Sequence, residues 1–406
     1  MHSRVRALVF GAQLSALALV TAPALAQTTQ PDPIAEAPPP PSYGKHDADR
    51  GDSASDFRDL LRLDAGPLTV APVVLMQTQA IPYVGKDSFI PSGDPAERGG
   101  FRLRRARFGL EGKLYDRVPF KITAELSSDA RGVTRINDAW FGYDKWKSFQ
   151  FFAGARNVPF SRSAILDSGK SAMIERPLAV RTMAPFRQLG MSAEGHLWKG
   201  ALNYALGVYN GLERSDRFFE GYTENSALLG NRFDGLTYAG RLESQPLGPL
   251  GSSIEDLKKG PFRVGVGASF FFSNGGTRDI LGAGGDVLLH SHGFHLLGEL
   301  ISNHASPHDV PTQPTTQIST VQSLAAIGEI GYVLVKNRLA VNARIEWLDP
   351  NTSVKDEADS WLLSGGLAYH VLHDFLKAQL DFTHRQEIHG SSLKNDSLVF
   401  QLQLNL

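Results

Sequence analysis

Apolar and polar positions alternate along most of the chain from Leu68 onward, and the last nine residues show the pattern most plainly. Leu398, Phe400, Leu402, Leu404 and Leu406 alternate with Val399, Gln401, Gln403 and Asn405. A period of two describes a β-strand with one apolar and one largely polar face. Alone, such a strand suits a closed barrel between lipid and water, or an edge strand of a soluble all-β domain. The same alternation predicts sixteen strands in succession. They run over 68–79, 101–115, 118–129, 134–145, 148–156, 188–198, 201–211 and 235–245, then 261–273, 283–290, 293–303, 322–335, 338–349, 360–371, 374–386 and 396–406. Most are close to the length that crosses a bilayer at a tilt.

The links between these segments favour the barrel. Asp116-Arg117, Lys199-Gly200 and Lys336-Asn337 are tight turns, and they alternate with long connections at 80–100, 157–187, 212–234, 304–321 and 350–359. Short turns on one side and long loops on the other are the rhythm of bacterial outer-membrane barrels. An even strand count returns both ends of the barrel to the periplasmic side, and 396–406 is expected to pair with 68–79 and seal it. Residues 246–260 break the rhythm, being long for a periplasmic turn.

Face assignment agrees. Phe262, Val264, Val266, Ala268, Phe270 and Phe272 face lipid on one strand. On another, Leu339, Val341, Ala343, Ile345 and Trp347 face out while Asn342, Arg344 and Glu346 face in. Lys377, Gln379, Asp381 and Arg385 face in against Leu376, Leu380 and Phe382. Tyr115, Trp146, Trp198, Trp347 and Trp361 at strand ends suit interfacial girdles.

The N-terminal stretch points to export. Arg4 and Arg6 precede an apolar run from Ala7 to Val20, and Ala24-Leu25-Ala26 offers a small-x-small cleavage site, so residues 1–26 read as a signal peptide. Residues 27–67, with Pro38 to Pro41 and a charged stretch from Lys45 to Asp64, read as a disordered periplasmic lead-in. The barrel then occupies 68–406. The chain has no cysteine, which removes disulfides, thiol chemistry and cysteine metal sites, and its near-neutral charge gives no reason to expect nucleic acid.

The connection 157–187 is too long and too patterned for an idle loop. Its apolar residues Phe160, Ile165, Leu166, Met173, Ile174, Leu178 and Phe186 need a surface to pack on. Its basic residues Arg162, Lys170, Arg176, Arg181 and Arg187 outnumber Asp167 and Glu175. Folded into the lumen, it would narrow the pore and bias it towards anions, because the guanidinium fork pairs with phosphate or carboxylate oxygens.

Here the chain resembles the phosphate-selective porins O and P. The resemblance rests on Phe101 to Gly112 (FRLRRARFGLEG), Phe120-Lys121 with Glu125, Asn137 to Tyr143, Gly154 to Phe160, Met173 to Pro177 and Arg187 to Met191. It is best over 101–211. It implies a homotrimeric, sixteen-stranded porin in the outer membrane of a Gram-negative bacterium. It also implies an inward constriction loop and passive transport of small inorganic anions such as phosphate or polyphosphate. Candidate anion-lining residues are Arg105, Arg107, Lys121 and Arg156 on the strands and Arg162, Lys170, Arg176, Arg181 and Arg187 on the loop. The same strand faces carry Glu111, Glu125, Glu194, Glu243, Glu299, Glu329 and Glu346, so the lumen is mixed in charge. That leaves open a general porin, or one for another solute, without phosphate selectivity.

An enzyme or a metalloprotein is the competing class. His290, His292, His295, His304 and His308 are present, but His290 and His292 fall at a predicted turn, where exposed polar residues are expected. No Gly-x-Ser-x-Gly or His-Glu-x-x-His motif occurs, so neither catalysis, a cofactor nor a metal is expected. An adhesive barrel is a further alternative, which an inward loop 157–187 argues against.

Overall fold

The computed structural model describes residues 61–87, 99–127, 134–212, 214, 218–222, 235–274, 278–307, 320–372 and 375–406. The expected signal peptide, most of the lead-in and His308 lie outside the described residues, as do parts of the long loops.

The chain forms a closed antiparallel barrel of sixteen strands in meander order. They are β1 (Leu68–Val84), β2 (Gly100–Leu114), β3 (Val118–Glu125), β4 (Arg135–Trp146), β5 (Phe149–Asn157), β6 (Arg187–Leu197), β7 (Leu202–Asn210) and β8 (Leu236–Ser244). The second half comprises β9 (Arg263–Ser273), β10 (Arg278–Ser291), β11 (Phe294–Pro307), β12 (Val321–Val335), β13 (Leu339–Asp349), β14 (Ser360–Leu372), β15 (Leu376–Glu387) and β16 (Ser397–Asn405). Closure comes from β16 against β1, with Gln401 opposite Gln79 and Gln403 opposite Gln77. A short strand, Leu63–Ala65, folds back on the start of β1 as a hairpin around Gly66.

Each predicted strand has its counterpart, and the differences have local causes. The segment expected at 283–290 extends to Arg278–Ser291. Its glycines blur the alternation because they serve packing: a Cβ on Gly282 would sit 2.1 Å from the Phe271 ring. Alternation along β4 is interrupted by register shifts at Thr123/Ala124 and Tyr143/Trp146, which swap the faces part-way. The tight turns rely on left-handed residues, Tyr115 and Asp116 before β3, Lys199 and Gly200 before β7, and Asn337 before β13.

The outer face is largely apolar. Val266, Phe270, Leu380, Phe382, Phe400 and Leu402 are exposed, whereas inward Asn342, Arg344, Glu346, Lys377 and Gln379 are buried. In an aqueous globule this distribution would be inverted; lipid outside and a filled polar interior make it stable. Among the described residues the buried apolar side chains form three separate clusters. The largest apolar cluster lies inside the barrel, at the root of the connection between β5 and β6.

Candidate functional site

The connection from Val158 to Phe186 folds into the lumen, as its length and apolar content predict. It carries two short helices, α1 (Arg162–Ile165) and α2 (Leu178–Met183), with a turn of 3-10 helix at Ser168–Lys170 between them. Val158, Phe160, Val180, Met183 and Ala184 bury against Tyr209, Phe271, Ile301 and Leu348 of the inner wall. Phe160 meets Phe271 edge-to-face, with ring centroids 4.9 Å apart.

Polar contacts fix the loop at many points. The hydroxyls of Ser161 and Ser163 donate to the two carboxylate oxygens of Glu299, at 2.5 and 2.6 Å. Arg162 reaches Asp286 at 2.8 Å and Glu243 at 3.0 Å. Further along, wall amides and ammonium groups satisfy loop carbonyls. Gln403 donates to Gly169, Lys377 to Ser171, and Asn342 and Gln379 to Ala172. On the far side Glu175 receives the guanidinium groups of Arg104 and Arg105. Burial opposes the charge of Glu175, but Arg104, Arg105 and Arg181 outweigh it and hold the carboxyl well below its usual range.

The loop thus spans from β8–β11 across to β15, β16, β1 and β2, and the space left open lies on the other side. That space is a cavity of about 550 Å³ lined by strands β1 to β8, the loop and Asn405. Among the described residues, none between Glu243 and Asn405 lines it. Its cations are Arg62, Arg107, Lys113, Lys121, Arg156, Arg187 and Arg241; its acids are Glu111, Asp116, Asp138, Asp144, Asp167, Glu194 and Glu243.

Each of those cations has a carboxylate neighbour. Arg107 pairs with Glu125 at 2.7 Å, Lys121 with Glu111 at 3.2 Å, Arg156 with Glu194 at 2.8 Å and Arg187 with Asp138 at 2.8 Å. Arg241 pairs with Asp286 at 2.6 Å, Arg62 with Asp64 at 3.2 Å, and Lys113 with Asp144. Arg156 also stacks over Phe152, 4.0 Å from the ring centroid. Asp167, on the loop, faces the wall cations. Burial opposes its charge, and Lys121, the Gly169 N–H, Lys170 and Arg107 together keep the carboxyl well below the ordinary aspartate range.

The structure therefore divides the candidate residues. Arg107, Lys121, Arg156 and Arg187 line one cavity. Arg105 is buried beside it, donating to Gln77 at 2.6 Å as well as pairing with Glu175. Arg162 and Arg176 serve the loop itself, Arg176 by donating from Nε to the Ser163 carbonyl at 2.9 Å. Lys170 donates to Ser252 at 2.6 Å. Arg181 lies apart, lining a smaller cavity of about 110 Å³ with Glu175, Arg344, Glu346, Asp381 and Arg385.

One expectation is corrected. His290 is not an exposed turn residue; it is buried on the inner face, with Nε2 2.7 Å from the Ile254 carbonyl, because residues 246–260 fold over it. Among the described residues no cluster of three or more potential metal ligands occurs. Two features escaped the sequence reading, the inward Phe271 and the inward course of 246–260. Each carried a signal: an aromatic in the polar phase of its strand, and a link too long for a turn that holds four aliphatic residues, Leu247, Leu250, Ile254 and Leu257.

Residues 87–251 match the family model described as phosphate-selective porin O and P, a span that encloses the region carrying the resemblance. No curated protein sequence matches the chain. Among solved structures, the anion-selective porin from Comamonas acidovorans is 13% identical, with a TM-score of 0.55, over 83% of this chain and 99% of that one. The outer-membrane channel DcaP of Acinetobacter baumannii is 12% identical, with a TM-score of 0.54, over 84% and 99%. A trimer form of OmpT from Vibrio cholerae is 9% identical, with a TM-score of 0.51, over 84% and 100%. At these identities the structural likenesses establish the barrel fold.

Proposed function

We propose that this chain, an outer-membrane porin, passes small inorganic anions by passive diffusion through the 550 Å³ cavity beside the inward loop. The observation that carries the reading is the placement of Arg107, Lys121, Arg156 and Arg187 on the inner faces of β2, β3, β5 and β6, all lining that one cavity. A row of cations along a narrow aqueous path raises the local concentration of anions and lowers that of cations. The anion-selective porin of Comamonas acidovorans, which shares the fold, is in keeping with this.

The pairing of every cavity cation with a carboxylate favours steering over tight capture. A phosphate entering the cavity competes with Glu111, Glu194 or Asp138 for the same donors. Phosphate selectivity is the finer alternative, and a general porin is favoured by the equal number of acids and bases. Chloride current measured in a planar bilayer, with phosphate then added, separates them. Current that persists with little block supports the steering reading, and block at low phosphate concentration supports a phosphate site. We carry the trimer as part of the proposal, in keeping with the trimer form of OmpT. Residues 1–26 as a signal peptide and 27–67 as a periplasmic lead-in belong to it as well.

A further inference from the structure

The link between β8 and β9 should cross outside the membrane in a few residues. Instead residues 246–260 turn back into the barrel. Leu250 and Ile254 are each 3% exposed, and they pack with Leu288 and Leu297 of the wall and Ala172 of the inward loop. The wall is cleared for them: a Cβ on Gly265 would stand 2.5 Å from the Leu250 side chain.

Buried polar contacts hold the link in place. Glu255 accepts from Asn342 at 3.0 Å and lies 3.1 Å from His370 Nε2. Asp256 receives Arg263 at 3.0 Å and the Gly293 N–H at 2.8 Å. Lys170, on the inward loop, donates to Ser252 at 2.6 Å, so the two inserted segments touch each other. A turn that merely joined two strands would have no reason to bury two aliphatic side chains and two carboxylates.

We infer that residues 246–260 are a second constriction element, a plug entering from the periplasmic mouth, that closes the half of the lumen faced by β9 to β14. With the inward loop it confines passage to the β1–β8 side and so sets the size limit of the pore. The open cavity agrees, since none of its lining comes from β9 to β15 or from the link itself. The barrel wall does not depend on the link, because β8 and β9 are joined by their own ladder from Thr237↔Ser273 to Ser244↔Val266. The inference rests on the porin reading and adds to it the element that limits solute size.

The test uses the full-length chain and two variants. In one, residues 247–259 are replaced by a two-residue turn; in the other, Leu250→Asp and Ile254→Asp are combined, placing carboxylates where the apolar seat cannot pair them. Single-channel conductance in bilayers is read beside swelling of proteoliposomes in stachyose. We expect the wild type to exclude the tetrasaccharide, and both variants to admit it and to conduct about twofold more, as a second path opens. Wild-type conductance and exclusion in either variant would overturn the inference. So would failure of both variants to form channels where the wild type does, since the link would then be framework and no plug. A silent wild-type chain would instead refute the porin reading beneath it.

Discussion

Arg162, in the first turn of the inward loop, places its Nε 2.8 Å from Asp286 on β10, 124 positions further along the sequence. The same guanidinium reaches Glu243, and Asp286 is shared with Arg241. Two arginines and two acids thus form one buried network joining loop to wall. Removing one partner of a buried pair leaves charge without compensation and costs roughly 3–5 kcal/mol. Because Arg241 remains beside Asp286, Arg162→Ala is expected at the low end of that range. Urea unfolding of the barrel in detergent checks the loss, and noisier single-channel current is expected as the loop loosens. Arg162→Lys restores the charge without the fork and is expected to recover only part of the loss.

Selectivity rests on cavity charges taken one at a time. Lys121→Gln and Arg156→Gln leave Glu111 and Glu194 facing the path, and each is expected to shift permeability towards cations. Glu111→Gln and Glu194→Gln are expected to shift it the other way. A unit charge about 8 Å from an ion in water is worth ~0.5 kcal/mol, so each change amounts to about twofold at low salt and less at high salt. Equal shifts from Arg176→Gln, whose Nε is committed to the Ser163 carbonyl, would point to effects on loop position instead of charge.

Two carboxylates that anchor the loop and the plug, Glu175 and Glu255, keep their charge until low pH. Burial opposes ionisation of Glu175 and of Glu255, yet Arg104 and Arg105 hold the first well below its ordinary value of 4.5, and the hydrogen bond to His370 lowers the second. A carboxylate with a depressed value in the fold contributes stability that is present above its unfolded value and lost as pH falls through the folded one. The part of the conductance that these two contacts control is therefore expected to stay level from about pH 8 to about pH 5 and to change only below the usual carboxylate range. A step near pH 6.5 would show that some group other than these two carboxylates controls the current.

The lipid face can be tested at Leu402, which is 51% exposed on the closing strand. Leu402→Arg places a charge among lipid tails and is expected to cost ~2–4 kcal/mol of insertion stability if it lies near mid-bilayer, as read from reversible folding into lipid vesicles. Substitution of the neighbouring, inward Gln401 acts differently, by freeing Gln79 and Gln379 from their side-chain bonds.

How much could be read beforehand follows from where each residue finds its partner. Strand identity was legible because lipid imposes alternation residue by residue, as at Leu398 to Leu404. Even the irregular β4 was placed to within a residue at each end, and β10 was placed without its first five residues. The inward course of the loop was legible from Phe160, Met173 and Phe186, which had no other surface to bury against. The use of its arginines was not, because the acids that take Arg162 lie on β8 and β10, far along the chain. Composition marked the loop as basic, and pairing with the wall offsets much of that charge. The plug stayed hidden for a similar reason: Glu255 depends on Asn342 and His370, which no local pattern connects to it.

The central claim, that anions pass preferentially beside the loop, is tested most directly by the zero-current potential of the wild-type chain in a potassium chloride gradient across a planar bilayer. A potential of the sign set by chloride, reduced when Arg107, Lys121 and Arg156 are each changed to glutamine, is the predicted result. A potential set by potassium, or one that those substitutions leave unmoved, would contradict the account.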